Sequence, residues 1–463
     1  MMINKVKILL INAIDISKPT QTMLPPLGLG YLASSLRSEF GSEMFEFKII
    51  DRDVENQIRI FKPNIVGISC VSLNFNYAKE YAKMAKKKKI PVIIGGIHIS
   101  IMPKTMTRDM DVAVIGEGEE AIKELFSIYQ SKKMFDKNDL SGIKGVAFWK
   151  GKKVVQTEIR PPVRDMDKIL MPARDLMKID KCTHVFSSRG CPYRCVFCAS
   201  SRFWKSTRFF SAKYVVAEIK HLYDTYGVRE VDFWDDLFIV SKPRIKEMIK
   251  LMRKEKLLGK VSFFCAVRSN LIDESMAKLL KKLNIKGVSM GLESATPRIL
   301  NYLKGDTINI GNHKKAIRIL KKHGLETSAS FIIGTPDETR EEILETLKFI
   351  KESKLRGITI SVLTPLPGTP IWDYAEKRGL VSERMDWSRL NMDFVENYKE
   401  AIVLSEKLSR EELFQLVTIF MNERRFRQFV DYLRHPVMIL RVIYHQIKKI
   451  VSPIFSPLLL RNK

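Results

Sequence analysis

The chain has 463 residues, of which 45% are hydrophobic and 28% are charged. This length allows two or three domains with cores of their own, and the composition excludes a disordered, collagen-like or low-complexity protein. Lysine and arginine outnumber aspartate and glutamate by 79 to 52, so the net charge of +27 indicates either an anionic neighbour or a lysine-rich solvated surface.

No stretch of the sequence offers the ~18 uncharged apolar residues that a membrane-spanning helix needs. The brief apolar run within Met1–Leu10 has no small-residue cleavage site, which argues against a signal peptide. The sequence therefore predicts a cytoplasmic protein.

Residues 1–135 alternate between short β-branched runs and helical patterns, including helices over Leu29–Ser38 and Ala78–Lys88. This order predicts a doubly wound parallel sheet, whose ligand crevice lies beyond the carboxyl ends of its strands. The predicted strands are Lys5–Asn12, Glu46–Ile50, Ile65–Ser69, Val92–Gly95 and Val112–Ile115.

Small residues follow several of these strands, as in Gly95-Gly96 and Gly116-Glu117-Gly118. Glycine at such positions lets a bulky ligand approach the backbone. No Gly-x-Gly-x-x-Gly turn follows the first strand and there is no Walker loop, which argues against a nicotinamide or nucleoside triphosphate site.

Residues 136–181 are predicted to form a linker with a small hairpin, whose strands are Gly145–Lys150 and Val154–Ile159.

The next unit, residues 182–384, begins with a concentration of cysteines. Cys191, Cys195 and Cys198 lie within eight residues, in a Cys-x3-Cys-x2-Cys pattern. A structural zinc site wants four protein ligands, whereas three thiolates on one loop suit a [4Fe–4S] cluster with one open iron. A zinc knuckle or a chance grouping remains an alternative at this point.

Six further strand–helix repeats follow the same rhythm, which predicts parallel βαβ units with function at the carboxyl ends of the strands. The predicted helices are Ala212–Tyr226, Ser241–Glu255, Ser275–Leu283, Gly311–His323 and Arg340–Ser353. The predicted strands are His184–Gly190, Glu230–Asp236, Val261–Arg268, Gly287–Ser294, Thr327–Gly334 and Gly357–Thr364.

Residues 385–463 form the C-terminal part, with a helical pattern over 408–433 and a basic, apolar tail from Met421 onward. Such a tail cannot span a bilayer but can lie on an anionic one. The alternative is a helix that packs on the preceding barrel.

The cysteine loop, with Phe197 before its third cysteine, resembles the signature of the radical S-adenosylmethionine (SAM) superfamily. The resemblance implies that the six repeats form a partial (β/α)6 barrel. It also implies a cluster whose open iron chelates SAM and cleaves it to a 5′-deoxyadenosyl radical.

The resemblance further implies which residues contact SAM, although a carboxylate or arginine at a strand end is also a common helix cap or ion pair. Asp235 lies where the family contacts the SAM amino group, Arg268 where it holds the carboxylate, and Glu293 where it holds the ribose. The full set implied is Phe197, Asp235, Arg268, Glu293, Ser330 and Gly334.

The first unit resembles the cobalamin-binding domain that precedes the barrel in one branch of this superfamily. It departs from the wider cobalamin family because Asn12–Pro19 contains no histidine, so this loop gives cobalt no imidazole. The implied contact residues are Leu27, Gly28, Ser69, Gly95, Gly96, His98, Gly116, Glu117 and Gly118.

The expected function is cobalamin-dependent methylation of an unactivated carbon in a small, lipid-like or tetrapyrrole substrate. A radical cyclase or rearranging enzyme of the same branch is an alternative. The expected partners are a reductant such as ferredoxin or flavodoxin and, through the tail, the inner face of the membrane. Nucleic acid is not expected.

Two less favoured alternatives are a tRNA methylthiotransferase and a non-catalytic binder of cobalamin or nucleic acid. The former needs three further cysteines in its first domain, where this chain has only Cys70. The latter is disfavoured by the intact cysteine loop.

Overall fold

The computed structural model describes residues 5–390 and 394–434. It contains two large sheets, each covered by helices, and a small two-stranded sheet between them. Most of the predicted amphipathic tail, residues 435–463, lies outside the described residues.

The first sheet has seven strands in the order β2-β1-β3-β4-β5-β6-β7. The first five are parallel, and their β-branched runs are buried in the middle of the unit, as expected for a sheet covered on both faces. The strands are β1 Val6–Ala13, β2 Phe45–Ile50, β3 Ile65–Cys70, β4 Val92–Gly95, β5 Val112–Val114, β6 Val146–Lys150 and β7 Lys153–Gln156.

The hairpin predicted in the linker forms, and its strands β6 and β7 extend the first sheet antiparallel to β5. The sequence did not indicate this attachment, because nothing in a hairpin pattern identifies the edge against which it pairs. The helices of this part are α1 Pro19–Thr22, α2 Leu27–Phe40, α3 Val54–Phe61, α4 Phe75–Lys87, α5 Ile97–Ile101, α6 Glu119–Lys132 and α7 Lys137–Leu140.

The second sheet is a six-stranded parallel half-barrel in the order β15-β14-β13-β12-β11-β8. Its strands are β8 Cys182–Val185, β11 Glu230–Phe233, β12 Ser262–Val267, β13 Ile285–Glu293, β14 Glu326–Ile333 and β15 Gly357–Val362. The small antiparallel sheet consists of β9 Ser188–Arg189 and β10 Arg208–Phe209.

The first barrel strand ends earlier than predicted, at Val185 instead of Gly190. The cause is Asp235, whose carboxylate accepts hydrogen bonds from the backbone N–H groups of Ser187 and Ser188 at 2.6 and 3.0 Å. These contacts draw the chain out of the parallel sheet and into its pairing with β10.

The half-barrel helices agree with the predictions to within one residue at their ends, because their caps are local. Thr339 and Asn309 each begin a helix with a reciprocal capping box. The helices are α8 Ser200–Phe203, α9 Ala212–Tyr226, α10 Lys242–Lys254, α11 Glu274–Lys282, α12 Pro297–Lys304, α13 Ile310–Lys322, α14 Arg340–Glu352, α15 Pro370–Lys377 and α16 Arg410–Arg434.

The two faces of the half-barrel strands differ in side-chain size. Large apolar residues such as Phe233, Phe263 and Phe331 face the helices and form the main core. The opposite face carries several small polar residues, such as Ser289 and Ser328, and the interior of the half-barrel stays open.

After the half-barrel the chain returns to the first unit. Trp372 of α15 stacks on Trp387 at 5.8 Å between ring centroids, and Trp387 lies 4.4 Å from the ring of His98. Helix α16 then packs beside β15, where Asp431 pairs with Arg356. No helix among the described residues is long and apolar enough to cross a membrane.

Candidate functional site

One cavity of about 1060 Å³ lies where the carboxyl ends of the first sheet face the half-barrel. Its first wall comes from α2 and from the loops after β3, β4 and β5. Its second wall comes from the small sheet and from the inner faces of β11, β12, β13 and β14. Since parallel sheets bind ligands beyond the carboxyl ends of their strands, this is the candidate site.

Seven of the nine residues predicted to contact cobalamin line this cavity. A β-carbon added at Gly28, Gly95 or Gly116 would have no atom of the described residues within 4 Å, so these positions leave open space against the backbone. Gly96, in contrast, has φ +101° and faces the Cys70 carbonyl, which an added β-carbon would approach to 2.4 Å. The seven residues are Gly28, Ser69, Gly95, Gly96, Gly116, Glu117 and Gly118.

The cavity continues between the first sheet and its helices as an apolar slot beside Leu10, Leu32, Gly67 and Ile93. An open glycine edge with an apolar slot behind it fits a broad macrocycle with a pendant tail, which is the shape of cobalamin. The edge and slot thus match the group that the resemblance implied.

His98 and Leu27 do not line the cavity. The His98 ring is fully buried, 3.1 Å from the Ser72 hydroxyl and 3.0 Å from the Thr105 hydroxyl. Burial, followed by the charge of Lys79, lowers the pKa of His98 to about 3. Leu27 is packed in the main core. Both residues lie behind the cavity wall in this structure, and their contact with the cofactor stays a prediction.

Glu117 connects the first sheet to the cysteine loop. Its carboxylate pairs with Arg189 at 2.5 Å and with Arg208 at 2.9 Å, and it accepts the Val163 N–H at 2.8 Å. Arg189 also pairs with Glu119 at 2.5 Å. Burial alone would raise the pKa of Glu117, but the two guanidinium groups lower it below its usual value.

The two arginines are register partners in the small sheet, and Trp204 lies beneath both guanidinium groups at 5.4 and 5.6 Å. Arg189 is two residues before Cys191, so this buried network fixes the start of the cysteine loop against the glycine edge. The sequence did not indicate the roles of Arg189 and Arg208, because no local pattern links them to Glu117, which lies 72 and 91 residues upstream of them.

The cysteine loop itself carries three free, partly buried thiols at Cys191, Cys195 and Cys198. The guanidinium of Arg268 lies 3.6 Å from the Cys195 sulfur, stacks 3.9 Å from the centre of the Tyr193 ring, and donates to the Thr307 hydroxyl. The backbone N–H of Val196 donates to Leu303 of α12 at 3.1 Å. The loop is thus braced by β12 and α12.

The donor set suits an iron–sulfur cluster. Burial and then the carboxylate of Asp236 raise the pKa of Cys191 to about 11, so iron binding must displace the thiol proton. No group of three His, Cys, Asp or Glu side chains within the described residues forms a site for a single metal ion. A four-iron cluster has a different requirement, because each thiolate binds its own iron.

Asp235 and Asp236 follow the second barrel strand, β11, and have different roles. The Asp235 side chain is fully buried and is held by Ser187, Ser188 and Arg244. These partners occupy its carboxylate in this structure, and the contact with the SAM amino group that the resemblance implied stays a prediction. Asp236 lines the cavity and accepts the Ser200 hydroxyl at 2.7 Å.

Glu293 ends β13 with φ +65°, a left-handed conformation that costs free energy for a side chain larger than glycine. Its carboxylate pairs with Lys304 at 3.0 Å, and Lys304 also donates to the Gly291 carbonyl. The side chain of Lys304 is 5% exposed. Lys304 thus orients Glu293, a role that the sequence did not indicate.

The remaining predicted SAM residues lie around the same end of the half-barrel. Ser330 is on the inner face of β14, next to Gly291. Gly334, at φ +77°, donates its N–H to the buried Glu338 at 2.7 Å. Phe197 packs against the second core cluster and so supports the loop from behind.

A family model described as the radical SAM superfamily matches residues 185–350, and one described as a B12-binding domain matches residues 18–126. An uncharacterized methyltransferase of Pyrococcus horikoshii is 35% identical over 395 residues, which cover 81% of this chain and 83% of the relative. An anaerobic magnesium-protoporphyrin IX monomethyl ester cyclase of Rubrivivax gelatinosus is 28% identical, with 89% and 75% covered.

Among solved structures, the radical SAM methyltransferase TsrM of Kitasatospora setae, with cobalamin and a [4Fe–4S] cluster bound, is similar at a TM-score of 0.67 and 19% identity. The match covers 81% of this chain and 79% of that one. At this identity the likeness shows the fold, and it confirms the predicted fold class. The chain belongs to the cobalamin-binding branch of the radical SAM superfamily, whose cofactors are a [4Fe–4S] cluster, SAM and cobalamin.

Proposed function

We propose that this enzyme methylates an unactivated carbon of an apolar, lipid-like small molecule. The observation that carries the proposal is that one cavity joins the glycine edge of the first sheet to the inner wall of the half-barrel. When bound, the cofactors supply a hydrogen-abstracting deoxyadenosyl radical and a methyl group carried on cobalt.

The chain's own part in this reaction is to hold and orient. Cys191, Cys195 and Cys198 would hold the cluster. Arg268, beside the Cys195 sulfur, and Glu293, oriented by Lys304, would hold SAM at the strand ends. Gly28, Gly95 and Gly116 would lie under the corrin.

An apolar substrate is supported by the cavity wall and by the C-terminal helix. Phe186, Trp234 and Phe264 line the barrel side of the cavity. On α16, the side chains of Phe426, Phe429 and Leu433 are 62%, 58% and 62% exposed and share one helix face by their spacing.

We propose that this aromatic face, together with the basic tail, meets an anionic membrane surface from which such a substrate could be taken. Co-sedimentation with vesicles that contain anionic phospholipid tests this contact, and Phe426→Ser with Phe429→Ser should abolish it. Binding that is unchanged in this variant would contradict the proposed contact.

The central experiment is anaerobic reconstitution with iron, sulfide and hydroxocobalamin, followed by reduction with dithionite in the presence of SAM. We expect about four irons per chain, retained corrin and 5′-deoxyadenosine. Cys195→Ala should lose the iron and the nucleoside, whereas Cys182→Ser, an exposed cysteine outside the loop, should keep both. A ferredoxin or flavodoxin is expected to replace dithionite.

The fate of the methyl group decides between the reactions of this branch. With methyl-labelled SAM and a lipid extract, a methyltransferase labels a product. Deoxyadenosine without label transfer would favour a cyclase, the activity named for the Rubrivivax relative. If the reconstituted protein forms no deoxyadenosine and also retains no corrin, the proposal is overturned altogether.

A further inference from the structure

The cavity is acidic although the chain is strongly basic. Seven acidic residues and two arginines line it, in a chain whose net charge is +27. An acidic wall inside a basic protein is not explained by general surface charge. The acidic residues are Glu117, Glu119, Asp232, Asp235, Asp236, Glu326 and Asp431, and the arginines are Arg189 and Arg356.

Six of these carboxylates already have partners. Glu117 and Glu119 pair with Arg189, Asp235 with Arg244, and Asp236 with Ser200. Glu326 and Asp431 both pair with Arg356 at the far end of the half-barrel. The carboxylate of the seventh, Asp232, has no hydrogen-bond or ion-pair partner within the part of the chain that the structure describes.

Asp232 lies on the inner face of β11. Its neighbours Val231 and Phe233 are buried among the helices, so the alternation of the strand turns Asp232 and Trp234 inward. In register beside Asp232 lie His184 of β8 and Phe264 of β12. His184 and Phe264 thus flank Asp232 on the neighbouring strands, and Trp234 follows it on the same strand.

The surrounding rings do not neutralise the carboxylate. Burial, followed by the charge of Arg174, lowers the pKa of His184 to about 3, so its ring is uncharged. The buried Nδ1 atom of His184 has no hydrogen-bond partner among the residues that the structure describes. Trp234, whose ring lies 5.7 Å from that of His184, is 50% exposed. Burial, followed by Glu230, raises the pKa of Asp232.

We propose that Asp232 binds a protonated nitrogen of the substrate, with Trp234 and Phe264 around the apolar body that carries it. Asp232 is partly buried, a carboxylate that is partly withdrawn from water favours a charged or hydrogen-bonding partner, and indole and phenyl faces attract cations. The inference rests on the proposed function and narrows its substrate class to apolar molecules with a basic nitrogen.

The position suits a substrate. Asp232 is four residues before Asp236, whose carboxylate accepts the hydroxyl of Ser200, two residues after Cys198. Four residues of extended chain span about 14 Å at most. A molecule anchored at Asp232 therefore extends toward the cysteine loop and, across the cavity, toward the glycine edge.

The test is anaerobic equilibrium dialysis of the reconstituted holoenzyme against 2-phenylethylamine and 2-phenylethanol, which differ only in the charged group. We expect the amine to bind about tenfold more tightly or better, the size of one charge-assisted hydrogen bond. Asp232→Asn should remove this preference. Glu247→Gln, on an exposed face of α10, should keep it.

Equal binding of the two probes, no binding of the amine, or a preference that survives in Asp232→Asn would each overturn the assignment. So would a loss of SAM binding in that variant with the amine preference unchanged, since Asp232 would then serve SAM. If Asp232→Asn does not fold, the test uses Trp234→Leu, in which the preference for the amine should be lower. An unchanged preference in Trp234→Leu would also refute the assignment of Asp232.

Deoxyadenosine formation is measured in the same preparations. If no deoxyadenosine forms but the amine is still preferred, the proposed function is refuted and the assignment of Asp232 is not. If deoxyadenosine forms normally but the amine is not preferred, only the assignment of Asp232 is refuted.

Discussion

The Arg189 network allows a quantitative test of how the two units are held together. Arg189 joins Glu117 and Glu119, and all three side chains are 9% exposed. In Arg189→Met, Glu117 keeps Arg208 and the Val163 N–H, but Glu119 loses its charged partner. Breaking a buried pair in this way costs about 3–5 kcal/mol.

The assay is urea unfolding of the metal-free chain under reducing conditions, followed by circular dichroism and extrapolated to zero denaturant. Arg298→Met is the matched control, because Arg298 is 53% exposed in its pair with Glu342 and such a pair contributes about 0–1 kcal/mol. Adding Glu119→Gln to Arg189→Met should restore about 1 kcal/mol or more, since it removes the unpaired charge.

A loss below about 1 kcal/mol for Arg189→Met would refute the reasoning. It would mean that water solvates Glu119 once the arginine is gone. The network would then contribute no more free energy than an exposed ion pair does. A large loss with no recovery in the double variant would indicate that the packing of Arg189 on Trp204 dominates over its charge.

Three other changes follow from the site. The side chain added in Gly95→Leu fills open space without backbone strain, so this variant should lose its corrin on gel filtration. The control Gly142→Leu, at an exposed turn outside the cavity, should retain corrin. Lys304→Met should weaken SAM binding about tenfold or more in equilibrium dialysis, because Glu293 loses the charge-assisted hydrogen bond that orients it; unchanged affinity would exclude a role in SAM binding. Burial raises the pKa of Glu338 to about 7, so between about pH 4.5 and 7 the native state holds a proton that the unfolded chain has released. The free energy of unfolding therefore falls as the pH rises from about 4.5 toward 7, by about 3 kcal/mol at most. In Glu338→Gln the melting temperature should depend less on pH between pH 5 and 8 than it does in the wild type. An equally steep dependence in both proteins would contradict the raised pKa.

Local patterns predicted the elements of this fold well. Helix α9 begins and ends where predicted because Ser211 caps its first turn and Gly227 takes the left-handed position after its last. The cysteine spacing likewise identified the family, since a cluster loop needs its ligands close together in sequence. Such features depend on a few neighbouring residues.

Contacts between distant segments could not be predicted in this way. His98 and Leu27 occur in motifs that resemble the cobalamin domain, yet whether they face the cofactor or the core depends on how helices pack over them. Lys304 reaches Glu293 only because α12 folds back on β13. Asp232 differs from the other carboxylates of the cavity only in its lack of a side-chain partner among the described residues, and no local pattern indicates the long-range pairs that the others form.

The return of the chain to its first unit has a consequence for domain exchange. Trp372 and Trp387 complete the core beneath β3 and β4, and Asp386 accepts a hydrogen bond from Asn76 of α4. A first unit excised at residue 135, or swapped alone between relatives, would leave these indole rings and the apolar surface they cover without a partner. A functional chimera should therefore carry residues 1–160 together with 370–404 from the same parent, so that the module to be transplanted is discontinuous in sequence.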